Sequence, residues 1–334
     1  MTTAKLRPAG LIVVLTSLVM ALTACGSGPS QVNSAVIIDG RSISVDDVQA
    51  ILDKVVKEQP AARPLAQQHK LDLVAREALG QLVVHELVTK VAREENITAS
   101  RDDVAAAMDQ DPFGKEVPTD GSVPPEALAA QLVYRARDLR DTVTDQILLA
   151  QLADKQLDGL KVTMDYTTIA SDDAGAAPES MKEKAEAKAH EFADDPDKVA
   201  ELIAADADAG MDAKVAGEFL AGQLDPTLAS SVMFGASEGS VVAFQPSADQ
   251  AFWVVGLIRS RETDATGQAT QPPQVSADQI VAIGRRLLQP TADRSDIRIS
   301  PRYGVWDPSA MGVAPSEAET AGVVLPPADA DTQQ

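Results

Sequence analysis

The stretch from Leu71 to Val104 limits most sharply what this chain of 334 residues can fold into. It reads LDLVAREALGQLVVHELVTKVAREENITASRDDV. At about 100° per residue, Leu71, Ala75, Ala78, Leu79 and Leu82 share one face, while Val84, Leu87, Val88 and Val91 fall on the other side. A helix apolar on more than one side has to be enclosed by other elements, so this stretch is expected to be a hub. Asn96 stands where a left-handed residue would close the helix, with Lys90 and Arg93 in the last turns, and Ser100 with Asp103 three residues on has the pattern of the next cap.

The amino terminus constrains location rather than fold. Met1 to Ala24 carries Lys5 and Arg7, then an apolar core from Leu11 to Leu22, then Leu22-Thr23-Ala24-Cys25. A charged start, a short apolar run and small residues before a cleavage point make a secretory signal, and the run is short for a membrane span. Leu-Thr-Ala-Cys resembles the bacterial lipobox, in which the cysteine is acylated and becomes the first residue of the mature chain. The plain alternative is a free thiol after an ordinary signal. Cys25 is the only cysteine, so an internal disulfide is excluded, and a lone exposed thiol outside the cell favours the anchor. Two or three acyl chains at about 0.8 kcal/mol per buried methylene would hold the protein on a membrane essentially permanently. The expectation is a signal peptide over 1–24, a tether over 25–33, and a protein lipid-anchored to the cell membrane outside the cytoplasm.

Charge narrows the partners. The formal net charge is −21 and aromatic residues make only 3% of the chain. Such acidity with few stacking surfaces argues against nucleic acid, and it gives no electrostatic hold on anionic lipid.

Taken in order, Ala35 to Ile38 is expected as a strand, Asp39-Gly40 as a turn, and Ser44 with Asp47 as the cap of a helix running to about Lys57. Gln110 to Pro125 reads as a loop rich in Asp, Gly and Pro. Glu126 to about Leu157 has helical spacing with no internal proline, and as one helix would span roughly 45 to 50 Å unless it bends. From Val162 the pattern becomes α+β: a strand (VTMDYTTIA), two helices, an irregular apolar stretch and a final strand (AFWVVGLIRS). Ser276 and Gln279 form a capping box ahead of a helix to Leu288, and Ile297 to Ser300 is a strand. The acidic Ala/Pro-rich end is expected to be disordered.

Two resemblances attach to these residues. The opening "AVIIDGRSISVDDV" and the hub with its "EENI" stop and "TASRDDV" restart resemble the SurA and PrsA-like extracytoplasmic chaperones. The succession "VAELIAADAD", "AGEFLAG", "LASSVMFGASEGSVVAF" and "AFWVVGLI" resembles a parvulin prolyl-isomerase domain. They imply an α+β fold: a mainly helical SurA-like chaperone domain (34–161), completed by a C-terminal helix and strand (276–307), with an inserted parvulin-like domain (162–262), a linker (263–275) and a disordered tail (308–334).

Parvulins place two histidines and a Cys or Asp beside an apolar proline pocket. In this chain the first-strand histidine slot falls at Tyr166 or Thr167 and the final-strand slot at Trp253, so neither histidine is present. Asp208 lies near the Cys/Asp slot, and Gly217-Glu218-Phe219 stands where the family has Gly-Asp-Leu. The resemblance therefore implies a degenerate domain without a catalytic set. Met233, Phe234, Phe252 and Trp253 are candidates for lining a peptide groove, against the simpler reading that they are ordinary core. His85 in the hub reads as a satisfied core residue, and His69 and His190 lie in polar settings. Asp206, Asp208 and Asp212 around Gly210 have some look of a calcium loop, but position twelve is Gly217 rather than Glu. No cofactor or metal is implied.

The function implied is ATP-independent binding of unfolded or nascent secreted chains, in an apolar cleft between the helical domain and the insert. The alternatives are a weakly active prolyl isomerase acting through Asp208, or an envelope assembly lipoprotein with one dedicated partner.

Overall fold

The computed structural model describes residues 33–327 except 111, 115, 171–177, 248, 249 and 267–274. The signal stretch, Cys25, most of the tether, residues 267–274 of the linker and the last seven residues of the acidic end lie outside the described residues.

The described chain opens with a hairpin. Strand β1 (Ser34–Ile38) turns back as β2 (Arg41–Ser44) through Asp39 and Gly40, both at positive φ, a geometry that matches the twist of the flanking strands. Ser44 ends β2 and caps α1 (Val45–Glu58) in a reciprocal capping box with Asp47.

The hub helix α2 runs Leu71–Glu94 and buries residues on several sides, among them Val74, Leu79, Val83, Leu87 and Val88. Each such aliphatic side chain contributes about 1.5–3 kcal/mol on burial. Asn96 adopts φ 55°, and the N–H of Ile97 donates to the Ala92 carbonyl at 2.8 Å, closing the helix with a left-handed cap. Ser100 then caps α3 (Arg101–Asp109).

The expected single helix from Glu126 to Leu157 is two helices, α4 (Pro125–Ala136) and α5 (Leu139–Gln156). The break falls at Arg137 and Asp138, both extended, where Asp138 accepts the N–H of Asp141 as the cap of α5. No proline or glycine is needed, because the cap satisfies the new helix start and Arg137 is held in the corner. Its guanidinium donates to the Asp145 carboxylate at 2.7 Å, and both side chains are buried.

A five-stranded antiparallel sheet follows, built first from β3 (Lys161–Ala170), β4 (Ala213–Leu220), β5 (Val241–Phe244) and β6 (Phe252–Glu262). Helices α6 (Pro178–Asp194) and α7 (Val199–Asp208) seal one face. The other face continues into the core of the helical region through Leu160, Val162, Met164, Phe234, Val242 and Ile258. The cleft expected between the two regions is thus, in the main, filled with packed side chains.

The carboxy-terminal part joins both regions. Helix α8 (Ala277–Arg286) starts from the Ser276–Gln279 capping box and lies against α5. At Gly284 a Cβ would come within 2.0 Å of the Leu149 carbonyl oxygen, so only glycine allows that approach. Strand β7 (Ile297–Ile299) pairs with β1, returning the chain to its beginning.

The segment expected to be a disordered tail is structured through residue 327. Strands β8 (Val305–Asp307) and β9 (Gly312–Ala314) form a hairpin on α2, and β10 (Gly322–Leu325) pairs with β5 as the edge of the five-stranded sheet. Side-chain hydrogen bonds hold it in place. Buried Asp307 accepts the N–H groups of Ser309, Ala310 and Ala321, and Lys182 on α6 donates to the carbonyls of Ala318 and Thr320. Within an Ala/Pro-rich composition, the Gly-Val-Val-Leu run is an apolar strand. Among the described residues no helix is long and apolar enough to cross a membrane.

Candidate functional site

The face of the sheet opposite α6 and α7 is not covered along its whole length. Where the segment from Pro226 to Ala236 crosses it, a cavity of about 480 Å³ remains. Alternation along the strands decides what enters it. Met164, Tyr166 and Thr168 of β3 and Phe252 and Val254 of β6 line the cavity, while their odd or even neighbours turn to the sealed side.

Bulges in β4 and β6, the two strands that flank β3, fall on either side of Asp165 and Tyr166. The pairing of β3 with β4 shifts between Met164 and Tyr166, and that with β6 between Thr163 and Met164. Asp165, 1% exposed, pins this irregularity: it accepts the Ala216 N–H at 2.7 Å and the Arg259 guanidinium at 2.7 and 2.6 Å. Ala216 sits at φ 50°, so its N–H is satisfied by the carboxylate.

Tyr166 lies edge-on to Phe219, with ring centroids 5.6 Å apart at 61°. A Cβ at Gly217 would stand 3.0 Å from the Tyr166 ring, so glycine there lets the ring lie on β4. The Tyr166 hydroxyl donates toward Asp212 at 3.5 Å. Partial burial, then the Asp212 charge and hydrogen bond, push the phenol up, which keeps it a donor at neutral pH. Leu228, Met233 and Phe244 complete the apolar lining, and Thr227, Gln250 and Asp225 stand with Asp212 as polar groups. Such an apolar pocket with a few polar groups fits an apolar side chain of an extended peptide.

The sequence-derived candidates divide. Tyr166, Met233 and Phe252 line the cavity. Thr167 is fully buried on the opposite face, with its hydroxyl 4.0 Å from the Met211 sulfur. Trp253, 6% exposed, belongs to the sealed core with Phe192 and Ile203. Phe234 is also core, and its carbonyl accepts from the Arg261 side chain. Asp208 is an exposed residue at the end of α7 and is absent from the lining. The carboxylate at the cavity is Asp212 instead. Asp206 is held by Lys188 on α6 at 3.2 Å, and among the described residues no group of three or more His, Cys, Asp or Glu is placed to hold a metal ion.

His85 is a partly buried residue with a partner. Its Nδ1 lies 2.7 Å from Asp145, whose other oxygen takes Arg137. The hydrogen bond with Asp145 raises the imidazole above its ordinary value, against burial. A second cavity, about 570 Å³, lies between α2, α4, α8 and the β8–β9 hairpin. Its lining includes Arg76, Glu77, Glu126, Arg285 and Glu319, a mixed-charge surface poorly suited to an apolar chain.

Residues that sequence reasoning missed, Met164, Phe219, Phe244 and Val254, carry a signal in strand alternation: in VTMDYTTIA positions 164, 166 and 168 must share a face. Asp212 and Asp225 lie in turns, where no periodicity marks them.

In a comparison with known families, the model described as SurA-like N-terminal domain matches residues 3–153. A comparison with curated proteins gives no match. The chain carries a SurA-like N-terminal domain within a mixed helix and sheet architecture, and that domain points to a chaperone-type role.

Proposed function

We propose that the protein is an ATP-independent chaperone, tethered outside the cytoplasm by an acylated Cys25, that binds exposed apolar segments of unfolded secreted or envelope proteins. The observation that carries this reading is the apolar cavity on the open face of the sheet, lined by Tyr166, Phe219, Met233, Phe252 and Val254. The SurA-like domain supplies its general class.

The sheet region is read as a degenerate parvulin-like domain. Its support is the antiparallel order β5-β6-β3-β4 with helices on one face, together with the succession of sequence motifs. Both histidine slots hold other residues, and Thr167 and Trp253 point away from the cavity. Rotation about an X-Pro bond meets a barrier of about 20 kcal/mol, and lowering it requires the amide to be polarised as well as desolvated. Tyr166 and Asp212 alone are a sparse set for that, and Asp208 is too far out to contribute. Isomerase activity is accordingly taken as lost.

The test is aggregation of several unrelated unfolded proteins with the purified full chain, measured beside cis/trans exchange in X-Pro peptides. Suppression without nucleotide, weakened by Phe252→Ala, and no acceleration of exchange is the expected result. Acceleration that survives controls for contaminating isomerases would overturn the lost-activity reading. No suppression at several-fold excess, with one stoichiometric partner recovered by crosslinking, would favour a dedicated assembly factor.

A further inference from the structure

The proposed groove is apolar in its depth and carries charge of one sign only. Among the described residues, its lining holds two carboxylates, Asp212 and Asp225, and no Lys, Arg or His. Asp212 comes from the turn before β4 and Asp225 from the turn before the short helix Pro226–Ala229, so the two reach the cavity from different segments. Neither carboxylate is used in an ion pair among the described residues. Asp225 accepts the Thr227 N–H at 2.9 Å, and Asp212 receives the Tyr166 hydroxyl, both neutral donors that bring no positive charge.

Both carboxylates are exposed, whereas Met164 and Met233 are buried. A ligand that fills the cavity with an apolar side chain would therefore leave its neighbouring residues near the acids. Resting on the reading of this cavity as a peptide site, we infer that it selects apolar segments carrying Lys or Arg beside the buried side chain and disfavours acidic flanks. A carboxylate flank would meet like charge at the mouth, and a basic flank would find a partner there with its stem lying along Phe252 or Leu228. Because the pairs are solvent-exposed, each adds little, so the selection comes from reversing the flanking charges together and is screened by salt.

The test uses the purified full chain and three labelled peptides that share an apolar centre, Leu-Phe-Leu, with Lys, Ser or Glu on both sides, followed by fluorescence anisotropy. At low salt the Lys-flanked peptide should bind about tenfold more tightly than the Glu-flanked one, with Ser between, given the modest strength of exposed pairs. High salt should close most of the gap. Asp212→Asn with Asp225→Asn should also close it, since the substitutions remove both charges while Asn caps a helix as well as Asp and keeps an acceptor for Tyr166. Equal binding of all three peptides, or a gap that survives the double substitution, would overturn the selectivity while leaving the groove standing. Failure of all three to bind, with Phe252→Ala making no difference, would overturn the peptide-site reading and this inference with it.

Discussion

Phe252 and Trp253 are neighbours in one strand, yet they belong to different parts of the protein. Trp253 points to the face sealed by α6 and α7, where it packs with Phe192, Ile203, Val255 and Leu257. Phe252 points to the open face and borders the cavity. The sealed face holds side chains between two layers and contributes to stability. The open face keeps aromatic and aliphatic groups at a surface where a second chain can reach them, which is a cost to solubility that function has to justify. Chemistry alone does not separate the two residues; strand direction does.

Substitutions separate the faces. Trp253→Ala should cost about 3–5 kcal/mol, as large-to-small changes in closed cores do. Denaturant unfolding measures it, and a loss of less than about 1 kcal/mol would place the indole outside the core. Asp165→Ala is next. It leaves the Ala216 N–H and the Arg259 guanidinium without their acceptor, at a cost of about 2–3 kcal/mol because a partly exposed arginine can recover some hydration. It should also loosen the bulges of β4 and β6 and weaken peptide binding beyond what its stability loss explains. Phe252→Ala should reverse the pattern: about 1–2 kcal/mol in stability for a half-buried ring, with most of the aggregation suppression lost. If Phe252→Ala costs as much stability as Trp253→Ala and spares suppression, the two-face distinction fails.

The elements with explicit local chemistry were legible in the sequence. Ser44 with Asp47, Ser276 with Gln279, Ser100 and Asn96 all act at the helix ends where their side chains predict them. Asp138 with Asp141 carries the same kind of signal, but it lies inside continuous helical spacing, and a cap without proline or glycine is easily read through. The structured end is a second miss with a different cause. Its composition is that of a solvated tail, while its order depends on Asp307, Arg286 and Lys182, residues distant in sequence or in another element. The site was half legible. Apolar character points to Phe252 and Met233, but also to Trp253 and Phe234, because a list of apolar residues ignores alternation, and Tyr166 enters only through a histidine slot of the family pattern. Asp208 was placed by spacing to a family pattern, and the helix end carries it away from the sheet.

The two Arg-paired buried carboxylates sharpen the comparison between regions. Asp165 in the sheet has Arg259 and a backbone N–H, with no titrating partner near neutrality. Asp145 in the helical region has Arg137 and also His85, which faces Asp141 as well. Because the Asp145 hydrogen bond raises the folded imidazole above its unfolded value, the protonated ring favours the fold. That contribution is complete below the unfolded pKa of about 6.5 and is lost as pH rises through the folded value. The helical region should therefore be slightly more stable at mildly acidic pH than at mildly basic pH, by about 1 kcal/mol or less for a pair whose imidazole is still reached by solvent. His85→Gln should flatten that dependence, since glutamine can still donate to Asp145 but does not titrate in this range. Proton resonances of the imidazole give the direction of its shift directly, and denaturant midpoints at several pH values give its effect. A His85 that titrates below its ordinary value would mean that burial outweighs Asp145, with Arg137 alone holding the corner between α4 and α5.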